Sequence, residues 1–163
     1  MRRRLRALLP RLHVLPTLTE RPGDTVVSIG ADDSISELAD RVAPDGDVLV
    51  VDESVDALEH VRRKSTAPNI FYLLGSLDVL PLMDASVDEL VATSVLGPDA
   101  TIECFRVLRP GGMVALTTRD EDPTGHALNL NPSEIERLFI AAGFDAVSVA
   151  AARNRLVVAA RKP

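Results

Sequence analysis

The chain has 163 residues, of which 46% are hydrophobic and 26% charged, a balance typical of one folded domain of ordinary size. The net charge of −6 and the 3% of aromatic residues argue against a nucleic-acid binder, which needs a basic surface or stacking rings. The single cysteine, Cys104, excludes an intrachain disulfide framework and a thiolate metal cluster. We therefore expect a protein of the reducing cytoplasm.

The first 15 residues, MRRRLRALLPRLHVL, are rich in arginine. Pro10, Arg11 and His13 interrupt the apolar stretch and no small-residue cleavage site follows, which argues against a secretory signal. We predict a single domain over residues 1–163, with a short basic helix or extension at 1–15. Binding to an anionic surface and targeting remain the alternatives for that segment. No apolar run reaches the roughly 18 residues that a membrane-spanning helix needs.

Turn signals and short apolar runs alternate along the rest of the chain, which predicts strands alternating with helices. The predicted elements are, in order, strand 25–29, helix 34–42, strand 48–52, helix 54–64, strands 69–74 and 87–93, helix 99–108, strand 113–118, helix 131–142, and strands 145–151 and 155–161. Only residues 152–154, which include Arg153 and Asn154, separate the last two strands, so these must form an antiparallel hairpin. The pattern predicts a doubly wound α/β sheet with helices on both faces and a ligand site beyond the carboxyl ends of the strands.

Local signals mark several element boundaries. Ser34 and Ser54 each precede an apolar pattern of helical spacing and are candidate N-caps. The run Arg109-Pro110-Gly111-Gly112 predicts a turn that closes the third helix, and Gly143 ends the fourth.

Five segments carry a resemblance to a known family. They are RPGDTVVSIG, APDGDVLVVDES, LLGSLDVLPLMDASVDELVATS, LRPGGMVALTT and NPSEIERLFIAAGF. In this order, over nearly the whole chain, they resemble the class I S-adenosylmethionine-dependent methyltransferases, of the small-molecule type related to ubiquinone and menaquinone methyltransferases. The resemblance implies a Rossmann-like seven-stranded sheet ordered 3-2-1-4-5-7-6 with one antiparallel strand. It also implies S-adenosylmethionine as the cofactor.

The first motif of that family is altered in this chain. The family has an acidic residue, one apolar residue and then G-x-G-x-G, whereas here Ser28 stands at the acidic position and Gly30, Asp32 and Ser34 at the glycine positions. Asp32 adds a side chain and a charge where the ligand should lie. Two interpretations stay open. Asp32 and Asp33 are either satisfied at the positive end of the following helix or face the cofactor's ammonium and sulfonium.

The resemblance implies further cofactor contacts. Asp52, at the end of the second strand, corresponds to the carboxylate that accepts the ribose hydroxyls; the alternative is a strand-end residue that caps the next helix. Ser76 aligns with the family's adenine-side acidic residue, and Asp78 could substitute for it. Ser94 opens the stretch that replaces a His-containing segment facing the substrate, and we include it among the cofactor-site candidates.

Catalytic and metal-binding residues are harder to assign. The candidate bases are Asp120, Glu121, Asp122 and His126, in the predicted loop after the fifth strand. The simpler interpretation of this segment is a solvated acidic loop. The histidines show no metal spacing, and we expect His60 on a helix surface. Cys104 lies beside Phe105 in a predicted helix and reads as a core residue.

Three functions remain open at this point. The first is methyl transfer to a small molecule through an atypical cofactor pocket. The second is a catalytically inactive methyltransferase-fold protein that binds or regulates a protein partner, with a homo- or hetero-oligomer as a consequence. The third is an enzyme for another nucleoside ligand, although two aspartates at the helix entrance would repel a dinucleotide's pyrophosphate.

Overall fold

A computed structural model describes residues 20–30, 34–93, 97–119, 131–152 and 155–163. Its elements are β1 (Thr25–Ile29), α1 (Ile35–Val42), β2 (Asp47–Asp52), α2 (Val55–Lys64), β3 (Ile70–Leu74), β4 (Val87–Ala92), α3 (Pro98–Val107), β5 (Leu108–Arg119), α4 (Pro132–Ala142), β6 (Asp145–Ala152) and β7 (Arg155–Arg161). Strands and helices alternate as the sequence pattern predicts.

The strands form one seven-stranded sheet in the order β3-β2-β1-β4-β5-β7-β6. Strands β1 to β5 are parallel to one another, whereas β7 runs antiparallel to both β5 and β6. The predicted hairpin and the sheet order implied by the resemblance are therefore confirmed. Because β1 has β2 on one side and β4 on the other, the chain reverses its direction of progress across the sheet at β1.

Two apolar clusters cover the faces of the sheet. On one face α1 and α2 pack against β1, β2 and β3, for example through Ile35 and Leu58. On the other face α3 and α4 pack against β4, β5 and β7, where Cys104 and Phe139 are fully buried. Cys104 is therefore a core residue, as predicted. Each cluster is built almost entirely from aliphatic side chains, as the scarcity of aromatic residues requires.

The predicted N-caps differ in outcome. Ser54 caps α2, since its side-chain oxygen accepts a hydrogen bond from the Ala57 amide at 3.2 Å. Ser34 occupies the N-cap position of α1 but makes no side-chain capping bond. Its backbone has helical φ and ψ angles of −82° and −10°, whereas a capping residue is normally extended.

The turn predicted between α3 and β5 lies inside β5, where Gly111 has a φ of +81°. The strand begins at Leu108, directly after α3, and includes the segment Arg109–Gly112. Its register with β4 shifts between Val87 and Glu89, so that Leu108 opposes Val87 and Met113 opposes Glu89. The carboxyl-terminal segment holds the irregular stretch, because the Gly111 amide donates to the Lys162 carbonyl at 2.8 Å. Residues 109–112 thus form a bulge within the strand, so the local turn signal is present but does not end the strand.

Candidate cofactor site

Gly30 lies directly after β1, at the carboxyl edge of the sheet where the chain changes direction. Its φ of +89° is a conformation that other residues rarely adopt. The Gly30 amide donates to the Val51 carbonyl at 2.9 Å, which ties the end of β1 to β2. A Cβ at Gly30 would lie 3.7 Å from Thr93 Oγ1, an ordinary contact. The glycine is therefore required by its backbone angles rather than by crowding.

Asp52 ends β2 beside this turn. Its Oδ1 accepts a hydrogen bond from the Ser54 amide at 2.8 Å, and its carbonyl accepts one from the Gly75 amide at 3.0 Å. The side chain is half-buried. Asp52 thus helps shape the turn that enters α2, while its carboxylate stands at the carboxyl edge of the sheet. Both roles considered for it from the sequence are compatible with this position.

Ser76 and Asp78 lie just after β3 at the same edge. The Ser76 hydroxyl oxygen accepts a hydrogen bond from the Asp78 amide at 3.1 Å, and Ser76 forms an isolated antiparallel bridge with Val79. Asp78 is exposed. A short turn therefore holds Ser76, and Asp78 presents the carboxylate of this segment to solvent.

Ser28 stands where the family has an acidic residue. It is only 3% exposed, and its hydroxyl lies 3.4 Å from the Gly30 carbonyl oxygen, to which it donates a long hydrogen bond. This contact is within the chain and holds the end of β1. Residue 28 therefore supplies no carboxylate to the edge of the sheet.

The structure thus brings four of the six predicted cofactor residues, Gly30, Asp52, Ser76 and Asp78, to one edge of the sheet. The other two, Asp32 and Ser94, lie outside the described residues. So do residues 1–15 and the candidate bases Asp120, Glu121, Asp122 and His126. His60 is exposed on α2, as predicted.

An arginine network that the sequence analysis missed holds the segment carrying Ser76 and Asp78. Residues 75–86, all described, connect β3 to β4 without a helix. Arg106 of α3 donates to the carbonyls of Leu80 at 3.1 Å and Leu82 at 2.8 Å. It also bonds Asp84 Oδ1 at 2.7 Å. The sequence shows Arg106 near the end of a helix but gives no sign that its partners lie in a distant connection.

A second missed feature is a buried carboxyl group on β4. Glu89 is 4% exposed and its Oε1 has no hydrogen-bond partner. Burial, together with the smaller effect of the nearby carboxylates of Glu20 and Asp24, raises the pKa of Glu89 to about 8 against the opposing effect of Arg41. Glu89 lies in register with Val26 and Met113, within the sheet, and not at its carboxyl edge.

The described residues give no sign of other site types. They contain no group of three or more His, Cys, Asp or Glu side chains placed to hold a metal ion. Within the same part of the chain, every helix is too short or too polar to cross a membrane.

The sheet order, with the glycine turn after β1 and the carboxylate at the end of β2, defines a Rossmann-like architecture. The family model described as "Methyltransferase domain" matches residues 27–112, just over half of the chain. The chain belongs to the class I S-adenosylmethionine-dependent methyltransferase family.

Similar proteins agree with that assignment. A probable S-adenosylmethionine-dependent methyltransferase of Mycolicibacterium smegmatis is 33% identical over 128 residues, which cover 69% of this chain and 47% of that protein. An arsenite methyltransferase of Halobacterium salinarum is 34% identical over 106 residues, which cover 59% of this chain and 27% of that protein. The chain thus spans less than half the length of these curated relatives.

The solved structure of a SAM-dependent methyltransferase from Aquifex aeolicus has the same fold. It superposes with a TM-score of 0.72 at 18% identity, over 89% of this chain and 85% of that chain. At this identity the likeness shows the architecture alone.

Proposed function

We propose that this chain binds S-adenosylmethionine at the carboxyl ends of β1 and β2 and transfers its methyl group to a small-molecule acceptor. The observation that carries the proposal is the pairing of the Gly30 turn with the adjacent Asp52 carboxylate at the point where the sheet changes direction. Family membership supports the cofactor. The small-molecule class of acceptor is supported by the relative whose name gives arsenite as substrate.

The residues present fit the nucleoside half of the cofactor. One carboxylate can accept hydrogen bonds from two neighbouring ribose hydroxyls, and Asp52 is placed at the strand end for this role. Gly30 has no side chain to obstruct the approach of a ligand to the backbone at φ +89°. Asp78 would bind the adenine group, since the Ser76 hydroxyl oxygen already accepts a hydrogen bond from the Asp78 amide.

Methyl transfer from this cofactor needs few catalytic side chains. When bound, the cofactor supplies a methyl group already activated by the positive sulfur. The protein's task is therefore to hold the acceptor atom in line with that methyl group and to exclude water. Asp52 and the Gly30 turn would fix the nucleoside, so that the position of the methyl group follows from the fold.

One observation favours a second candidate function. The buried Ser28 hydroxyl bonds the chain's own Gly30 carbonyl and cannot replace the acidic residue of the family motif. A protein that had lost the cofactor would tolerate such a change. The alternative is a catalytically inactive methyltransferase-fold protein that binds or regulates a protein partner.

Calorimetric titration with S-adenosylhomocysteine separates the two candidates. We expect micromolar binding by the unaltered chain. Asp52→Asn keeps an oxygen acceptor for the Ser54 amide but removes the charge, so binding should weaken by roughly 10- to 100-fold. Asp47→Asn, at the opposite end of the same strand, is the matched control and should bind normally.

The other outcomes are equally informative. Absence of binding up to millimolar ligand, with binding restored by Asp32→Gly combined with Ser34→Gly, would support the inactive protein. Equal binding by the Asp52→Asn and Asp47→Asn variants would show that Asp52 does not hold the ribose.

A further inference from the structure

The outer edge of β3 is unusually apolar for an open sheet edge. Strand β3, with the sequence IFYLL, lies at one end of the sheet, and within the part of the chain that the structure describes it pairs only with β2. Phe71 is 48% exposed and Leu74 is 59% exposed. Proteins protect open edges with charged residues, proline or β-bulges, because an unpaired strand is a template for another strand. None of these devices occurs in β3, whose register with β2 is continuous.

Helix α2 lies beside this edge and carries charges of opposite sign at its two ends. It packs against β2 and β3, on the sheet face of Ile70 and Tyr72. Glu53 and Asp56 are exposed at its amino end. The carboxyl end has the exposed basic residues Arg62, Arg63 and Lys64.

The two arginines of the carboxyl end share one carboxylate within the helix. Glu59 lies 3.6 Å from Arg62 and 3.3 Å from Arg63, so one carboxylate faces two guanidinium groups. Such exposed pairs contribute little to stability and leave the cations available to another acidic surface. The helix therefore presents an acidic end and a basic end along the open edge of the sheet.

We propose that a second copy of this chain covers this edge. The two β3 strands pair antiparallel across a two-fold axis perpendicular to the sheet, which extends it into a continuous sheet of both copies. The same axis places the two α2 helices side by side and antiparallel on one face. The acidic end of each helix then faces the basic end of the other. A single two-fold rotation thus pairs the two β3 edges and brings the opposite charges of the two α2 helices together.

The spacing of the elements agrees with this arrangement. Helix α2 covers β2 and β3 together, so its axis lies about half a strand spacing inside β3. Two copies paired through β3 place the α2 axes about two strand spacings apart, or roughly 10 Å. That is the ordinary distance between packed helices. The interface does not involve the residues assigned to the cofactor and stands independently of the proposed function.

Charge reversal in two variants of the full chain tests the dimer. Sedimentation velocity over a wide concentration range should show a dimer for the unaltered chain, with weaker association at high salt. Arg62→Glu with Arg63→Glu, and separately Glu53→Lys with Asp56→Lys, bring like charges together. Each pair should raise the dimer dissociation constant by roughly a hundredfold or more. The control Arg137→Glu, on the exposed surface of α4, should leave it unchanged.

Mixing the two variants gives the decisive result. One variant has a net negative charge at both ends of α2 and the other a net positive charge at both ends, so the mixture should form a heterodimer although each variant alone is monomeric. Circular dichroism checks that both fold, and either variant alone suffices if the other does not. A monomeric unaltered chain at every concentration, or a dimer that neither pair of substitutions weakens, would overturn the proposal.

Discussion

Arg106 binds Glu103, three residues before it on α3, through two hydrogen bonds of 2.8 Å. The Arg106 Nε and Nη2 groups donate to the two carboxylate oxygens of Glu103. Glu103 Oε2 also accepts a hydrogen bond from the Leu80 amide at 2.8 Å. The arginine beside it holds the pKa of Glu103 below its usual range. The two residues therefore link α3 to the connection between β3 and β4.

Removing the guanidinium should loosen that connection. We expect Arg106→Ala to lower the free energy of unfolding by about 2 kcal/mol, because two carbonyls and two carboxylates lose a charged donor. Arg106→Lys should recover only part of this loss, since an ammonium group cannot reproduce the two-point contact. Urea denaturation measures both changes. Arg137→Ala, on the exposed surface of α4, is the control and should change stability by less than about 0.5 kcal/mol.

Glu89 should make stability depend on pH. Unfolded, the group loses its proton near its ordinary pKa of 4.5, whereas folded it keeps the proton to about 8. Between these values the unfolded state binds fewer protons, so the free energy of unfolding falls as pH rises. Glu89→Gln preserves the neutral form and should remove this slope, which corresponds to a change on the order of a few kcal/mol.

The comparison needs denaturation curves for both proteins from about pH 4.5 to pH 9. Glu134→Gln, at an exposed carboxyl group of α4, should leave the slope in place. Parallel pH profiles for the unaltered chain and Glu89→Gln would show that Glu89 is ionised in the folded protein.

Gly143 should resist substitution. It ends α4 with φ of +104°, and an added Cβ would lie 3.0 Å from two carbon atoms of the Phe105 ring. Gly143→Ala should therefore cost about 1–3 kcal/mol of stability, through backbone strain and ring displacement. Gly97→Ser is the matched test, because Gly97 caps α3 at φ −84° with nothing within 4 Å of an added Cβ. It should be neutral or slightly stabilising, and equal losses in both variants would argue against the crowding at Phe105.

The Cys104 thiol should not react with thiol reagents in the folded protein. The side chain is fully buried, and burial raises the pKa of its thiol to about 12. Since the thiolate is the reactive species, an aromatic disulfide reagent should modify Cys104 only as fast as the chain unfolds. Rapid modification under native conditions would mean that α3 opens locally.

The fold could be predicted from the sequence largely because its signals are local and repeated. The two-residue separation of β6 and β7 leaves a hairpin as the only connection, and apolar runs ending in turns mark the parallel strands. The start of β5 at Leu108, and not at residue 113 as predicted, has a non-local cause, since pairing with Lys162 keeps residues 109–112 in the strand. Local turn propensity gives no warning of such pairing.

The candidate site was less accessible to sequence reasoning. Gly30 and Asp52 could be assigned because each follows a strand and matches a family position. Glu89 could not be assigned in this way, since the sequence Asp88-Glu89-Leu90 does not distinguish a carboxylate that faces solvent from one that faces the core. Its burial follows from pairing with distant parts of the chain, since Glu89 lies in register with Val26 of β1 and Met113 of β5.

The central claim is that S-adenosylmethionine binds at the carboxyl edge of the sheet, and glycine amide signals in nuclear magnetic resonance spectra report on this most directly. Gly30 and Gly75 lie at that edge, whereas Gly46 and Gly112 lie near the amino ends of β2 and β5. Titration with S-adenosylhomocysteine should shift the signals of Gly30 and Gly75 and leave those of Gly46 and Gly112 in place. Unchanged signals at Gly30 and Gly75 with saturating ligand would contradict the proposed site.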